Sequence, residues 1–156
     1  MTKLPVLPRI LGFSGLLPQF ACALVVWFGP PDLRFWALAI GWGYAALILS
    51  FLGGLWWGLL AAQMAADGGT SDRPQPWMWI ASVVPSLWAL VTFLPWIVGA
   101  NWPGPSLVGL GLALLGSVWV DRRLAARLTV VPDWWMALRV PLSVGLGTAS
   151  IVLALG

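Results

Sequence analysis

The chain has no histidine, no glutamate, one lysine and one cysteine, and its 156 residues carry only 5 acidic and 8 basic side chains. Each shortage removes a class of function. Transition-metal sites are built from His, Cys or clustered carboxylates, and one Cys with five scattered Asp offers no such set. Nucleophilic catalysis needs a base within reach of Ser or Cys, and the only acidic candidates here sit in or beside loops. The lone Cys22 excludes an intramolecular disulfide framework; within its apolar run it reads as a small buried hydrophobe. Gly53-Gly54 and Gly68-Gly69 match neither the Walker nor the dinucleotide spacing, so no phosphate-cradling loop is present. The expectation is a protein with no catalysis of its own and no metal or cofactor. A net charge of +3 is spread over short connections rather than one face, which argues against nucleic acid as a partner.

What remains is apolar. The chain is 60% hydrophobic and 8% charged, with 13 Trp, against about 25% charged residues in an ordinary soluble domain. A helix needs about 20 apolar residues to cross the ~30 Å hydrocarbon core. Five segments approach that length, at about 10–28, 33–64, 77–98, 106–127 and 134–155. They are separated by Gly29-Pro30-Pro31, by the polar run DGGTSDRPQP at 67–76, by NWPGP at 101–105 and by the connection that follows Arg127. The fold expected is an all-α bundle of five transmembrane helices in one domain, with the lipid bilayer as its solvent. Pro18, Pro85, Pro95 and Pro141 fall inside the segments, and the second is long enough that it must tilt, bend or project from the membrane. The residues before Cys22, Gln19-Phe20-Ala21, make a poor lipoprotein cleavage box, so the first segment is expected to remain as a span.

Positive charge is retained on the cytoplasmic side. An N-terminus placed inside gathers Lys3, Arg9, Arg73, Arg122, Arg123, Arg127 and Arg139 there, against Arg34 alone outside. The bias orients the C-terminus outward. Trp27, Trp36, Trp96 and Trp102 then fall near the outer headgroup zone and Trp77, Trp79, Trp119, Trp134 and Trp135 near the inner one, where indoles are favoured. Trp42, Trp56, Trp57 and Trp88 lie deeper. They either pack the bundle or face lipid or, with Trp56, Trp57 and Trp88 around Pro85, line a pocket for an apolar ligand, because an indole N–H at depth needs a partner.

In the second segment Ala46, Ser50, Gly54, Gly58 and Ala62 recur every four residues. Small residues at that spacing allow close backbone approach between helices in a membrane. They serve packing within the bundle or an interface with another chain. Gly109, Ala113 and Ser117, and then Ser143 and Gly147, repeat the pattern. Arg122, Arg123, Arg127 and Arg139 cluster around the last connection with Asp121 and Asp133, either of which can pair with a neighbouring Arg. This cluster reads as topology and attraction to anionic lipid headgroups, or as a dock for an acidic partner or a lipid such as cardiolipin.

The stretch Tyr44 to Gly58, YAALILSFLGGLWWG, resembles the transmembrane-protein-69-like family, small uncharacterised membrane proteins of bacteria and mitochondria. Leu11-Gly12-Phe13-Ser14-Gly15-Leu16-Leu17-Pro18, Ser82-Val83-Val84-Pro85-Ser86-Leu87-Trp88 and Leu138-Arg139-Val140-Pro141-Leu142 are similar to the same pattern. The family often has a His where this chain has Trp56, which argues against a metal, haem or proton-transfer role. The resemblance implies a multi-span inner-membrane protein and supplies no activity. By elimination, the function expected is that of an accessory, assembly or structural partner in a larger membrane complex; the alternative is a binder or carrier of a hydrophobic ligand or lipid. A small transporter is less favoured, since five spans do not divide into two equal repeats.

Overall fold

The computed structural model describes residues 5–69 and 74–156, so Lys3 and Arg73, used above to orient the chain, lie outside the described residues. Among the described residues the regular structure is entirely helical. Five units are long and apolar enough to cross a membrane: Val6–Phe28, Pro31–Ala66, Pro76–Ile97, Gly104–Ala125 and Trp135–Leu155. Two of them are broken, which gives seven helices: α1 (Val6–Ser14), α2 (Leu17–Phe28), α3 (Pro31–Ala66), α4 (Pro76–Val91), α5 (Leu94–Ile97), α6 (Gly104–Ala125) and α7 (Trp135–Leu155).

Both breaks follow from proline. A proline ring collides with the carbonyl four residues earlier. Pro18 sets that point at Ser14, where α1 ends, and Pro95 sets it at Val91, where α4 ends. Each proline then occupies the first turn of the next helix, where its missing N–H costs nothing. Pro85 and Pro141 stay within α4 and α7. Side chains from α3 tie down both breaks. The Tyr44 hydroxyl donates to the carbonyl of Gly15, and Trp42 Nε1 donates to Thr92 Oγ1 at 3.1 Å, while that hydroxyl donates to the Ala89 carbonyl.

α3 is the central element, in contact with α2, α4, α6 and α7. Its buried residues, among them Gly41, Ala45, Leu49, Leu52, Trp56 and Leu60, fall at steps of three and four and so share one helical face. At 1.5 Å per residue its 36 residues extend about 54 Å, well beyond the ~30 Å hydrocarbon core. Gln63 fastens its far end to the α6–α7 connection. Gln63 Oε1 accepts from the backbone N–H groups of Thr129 at 2.8 Å and Val130 at 3.3 Å, and Gln63 Nε2 donates to Asp67 at 2.7 Å.

α6 and α7 approach most closely at two glycines. A Cβ on Gly111 would sit 2.7 Å from the Gly147 carbonyl, and one on Gly147 would sit 2.8 Å from the Gly111 carbonyl. The outer shell is apolar, with Leu47, Phe51, Ile80 and Val98 all more than 60% exposed. Helices that satisfy their own backbone and present such a surface require an apolar solvent.

Candidate functional site

A polar site inside the bundle is formed by one residue from each of three helices. Asp121 of α6 is fully buried, Trp56 of α3 is 2% exposed and Arg139 of α7 is 7% exposed. Arg139 Nε donates to Asp121 Oδ2 at 2.9 Å and Trp56 Nε1 donates to Asp121 Oδ1 at 2.8 Å. A carboxylate out of contact with water is tolerable only when paired and hydrogen-bonded, and here both oxygens are engaged. One helical turn further into the bundle, Ser117 and Ser143 join α6 to α7 through their hydroxyls at 3.1 Å. Arg139 Nη2 is buried and has no hydrogen-bond partner.

This arrangement corrects two expectations. The acidic residues are not all set in or beside loops, because α6 carries Asp121 into the interior, where it pairs with Arg139 of α7. Arg139 is therefore not a headgroup contact. Arg122, Arg123 and Arg127 are exposed, and Arg123 lies over the Trp119 ring with its guanidinium carbon 4.9 Å from the centroid. Of the two aspartates that stood open as partners for a neighbouring Arg, Asp121 takes Arg139.

Two apolar cavities flank the polar set. The first, about 410 Å³, lies between α3, α4 and α6 and brings together Trp56, Pro85 and Trp88, with Leu49, Ala113 and Ser117 completing its floor. Trp57 does not join them; it is half exposed and meets Trp79 edge-on at 4.8 Å on the outside of the bundle. The indoles around this groove are satisfied by the protein itself, since Trp88 Nε1 donates to the Gly109 carbonyl at 3.1 Å and Trp56 Nε1 to Asp121. Trp42, grouped above with the deep indoles, belongs instead to an aromatic cluster at the opposite end of α3, stacked on Phe93 at 5.2 Å and edge-on to Trp102 at 5.3 Å. The second cavity, about 210 Å³, lies between α1, α3 and α7 and includes Arg139 and Ser143 in its wall.

The small-residue stripe is not where the bundle closes. Gly54, Gly58 and Ala62 are exposed and Ala46 and Ser50 only half buried, and a Cβ on Gly54 or Gly58 would meet nothing within 4 Å. Helix packing within the chain falls on the neighbouring face instead, where Gly53 lies directly against the Ser82 carbonyl of α4 and Gly41 against Leu153 of α7. The intramolecular reading of the stripe is thus corrected for Gly54, Gly58 and Ala62, whose register is out from the buried face, while Ala46 packs against the core and lines a groove with Ser50 and the α4 residues Ser86 and Ala89. The repeats in α6 and α7 do work inside the bundle: Ser117 meets Ser143, Gly147 meets Gly111, and Gly109 faces Trp88.

Sequence reasoning missed Gln19 and Gln63, both fully buried. Gln19 Nε2 donates to Ser150 Oγ at 3.0 Å and so links α2 to α7. Their signal was available in the polar amide itself, which is uncommon inside an apolar run and needs a partner across helices. Among the described residues, no three metal-ligating side chains come together.

Five apolar helical spans closed around a buried ion pair define a polytopic α-helical membrane protein. The chain belongs to the family described as "Protein of unknown function (DUF3429)", whose model matches residues 4–155. That description carries no activity and does not mention the transmembrane-protein-69-like proteins. No curated protein and no solved structure matches the chain.

Proposed function

We propose that the protein is a non-enzymatic partner in a larger complex of the bacterial inner membrane, and that it receives a transmembrane helix of another subunit along the outer face of α3. The observation that supports this is the outward small-residue stripe. Gly54, Gly58 and Ala62, the exposed part of the stripe, leave a strip of nearly bare backbone at a groove of about 420 Å³ whose other walls are Phe51, Leu55 and Leu59. Lipid gains nothing from such a strip, whereas a second helix reaches close van der Waals contact there. The orientation that suits this reading has the N-terminus inside, with Arg122, Arg123 and Arg127 toward anionic headgroups. The resemblance to transmembrane-protein-69-like proteins is in keeping with it.

Because a Cβ on Gly54 or Gly58 would meet nothing within 4 Å, Gly54→Leu/Gly58→Leu separates folding from association. Gentle extraction followed by mass spectrometry of intact assemblies is expected to show a stoichiometric partner on the wild-type chain. The double variant should lose it while its thermal midpoint is unchanged. A partner retained by the double variant would refute the docking face.

A second reading, a binder of a hydrophobic ligand, is favoured by the convergence of Trp56, Pro85 and Trp88 on one groove. With both indole N–H groups already bonded, that groove recognises only apolar surface. Ligand-dependent quenching of tryptophan emission, lost in Trp88→Phe, is the result that would support it.

A further inference from the structure

We infer that the cavity between α1, α3 and α7 is a binding site for an apolar molecule bearing a neutral carbonyl oxygen, held through Arg139. Three observations converge there. Arg139 has no hydrogen-bond partner at Nη2 although the side chain is 92% buried, and a buried donor without an acceptor costs about 1–3 kcal/mol. The same side chain lines the cavity, whose other walls are apolar apart from Ser143. The cavity's roughly 210 Å³ exceeds the ~150 Å³ that admits a benzene ring, so it takes a six-membered ring or a short run of methylenes rather than a single water.

The charge state of the site selects the acceptor. Asp121 already balances Arg139, and its two oxygens are taken by Arg139 Nε and Trp56 Nε1. An anionic head would place an uncompensated charge among Leu16, Leu52 and Leu146, which is costly in an apolar medium. A carbonyl oxygen accepts the spare N–H and adds no charge. The rest of the molecule has a way out into the bilayer, because Leu11 and Phe51 line the cavity and are 61% and 64% exposed. α1 has no buried residue and rests on α7 where Gly12 meets Leu138 and Leu142, so this side of the cavity is bounded by a shallowly embedded helix. Two molecules of the membrane carry the required chemistry, the ester of a glycerolipid and the ring of a quinone.

The full chain in nanodiscs of ether-linked phosphatidylcholine, which has no ester carbonyl, tests the site. The discs are doped with decylubiquinone, with ester-linked dioleoyl phosphatidylcholine or with oleate, and intact mass spectrometry counts what each chain retains. The expected result is one bound molecule per chain from one of the two carbonyl probes, and the probe retained identifies the source. Arg139→Lys keeps a cation for Asp121 but lacks the second planar nitrogen; Leu142→Trp fills the cavity and leaves the ion pair untouched. Both should weaken retention about tenfold or more, as expected for the loss of a hydrogen bond to a charged group. If Arg139→Lys does not fold, Leu142→Trp decides alone. Retention of neither carbonyl probe by the wild-type chain, equal retention in Leu142→Trp, or preferential retention of oleate would overturn the inference.

Discussion

The interior ion pair makes a quantitative prediction about variants that remove one charge or both. Arg139→Met leaves the Asp121 carboxylate with Trp56 as its only donor. Asp121→Leu strands a guanidinium and an indole N–H together. Both residues are less than a tenth exposed, so water does not screen the loss, and breaking such a pair by removing one partner costs about 3–5 kcal/mol. Asp121→Leu adds about 1–3 kcal/mol for the unsatisfied Trp56 N–H. In Asp121→Leu/Arg139→Met only that N–H is stranded, so the double variant should be more stable than either single one. A chain unfolded within detergent or lipid keeps some polar partners, which lowers measured couplings; the pair should still be coupled by about 1.5 kcal/mol or more. Unfolding by sodium dodecyl sulfate in mixed micelles, followed by helical circular dichroism, measures all four chains. Additivity within about 0.5 kcal/mol, or a double variant less stable than both singles, would refute the claim that the two charges sustain each other.

Other consequences are equally open to measurement. Gly53→Leu drives a side chain into the Ser82 carbonyl and should destabilise the bundle by about 1–3 kcal/mol or more, whereas Gly54→Leu, one residue along, should leave the same micelle unfolding curve unmoved. Gln63→Ala removes the acceptor of the Thr129 and Val130 amides; hydrogen exchange at those two amides should accelerate, with the α6 and α7 amides protected as before. Trp88→Phe forfeits the bond to the Gly109 carbonyl at about 0.5–1.5 kcal/mol, a shift small enough that a collapse of the fold would contradict the account of the α4–α6 contact.

The helices themselves were legible because apolar length is a local property. Segments drawn at 33–64 and 134–155 differ from α3 and α7 by no more than two residues at either end, which is the range over which helix ends fray. The breaks at Ser14 and Val91 were half legible: Pro18 and Pro95 were visible inside the segments, but where the helix yields depends on the carbonyl four residues earlier. The packing face was not legible. Gly53 and Gly54 are adjacent and chemically alike, and only the position of α4 decides which of them is buried. The same holds for charge. Arg122, Arg123 and Arg139 look equivalent as members of a basic cluster, and what separates Arg139 from the others is the rotation of α7, which aims it at an aspartate 18 residues earlier. Tertiary placement, absent from any local pattern, is what turned a headgroup residue into an interior one.

The pairing of Asp121 with Arg139 also constrains how the chain enters the bilayer in the first place. An Arg or Asp near the middle of an inserting helix is disfavoured by about 2.5–3.5 kcal/mol, and nearer the interface by less. If α6 and α7 partitioned separately, each would carry that burden alone, and the short apolar stretch of α6 ahead of Asp121 has little hydrophobicity to set against it. Entering together as a hairpin, with Asp121 and Arg139 already joined and Gly111 seated on Gly147, the two helices present lipid with a unit whose interior charges are paired, leaving only Arg122 and Arg123 exposed in the last turn of α6. The ion pair and the Gly111–Gly147 contact thus favour an order of assembly in which a closed α6–α7 pair afterwards accepts α3 along Trp56.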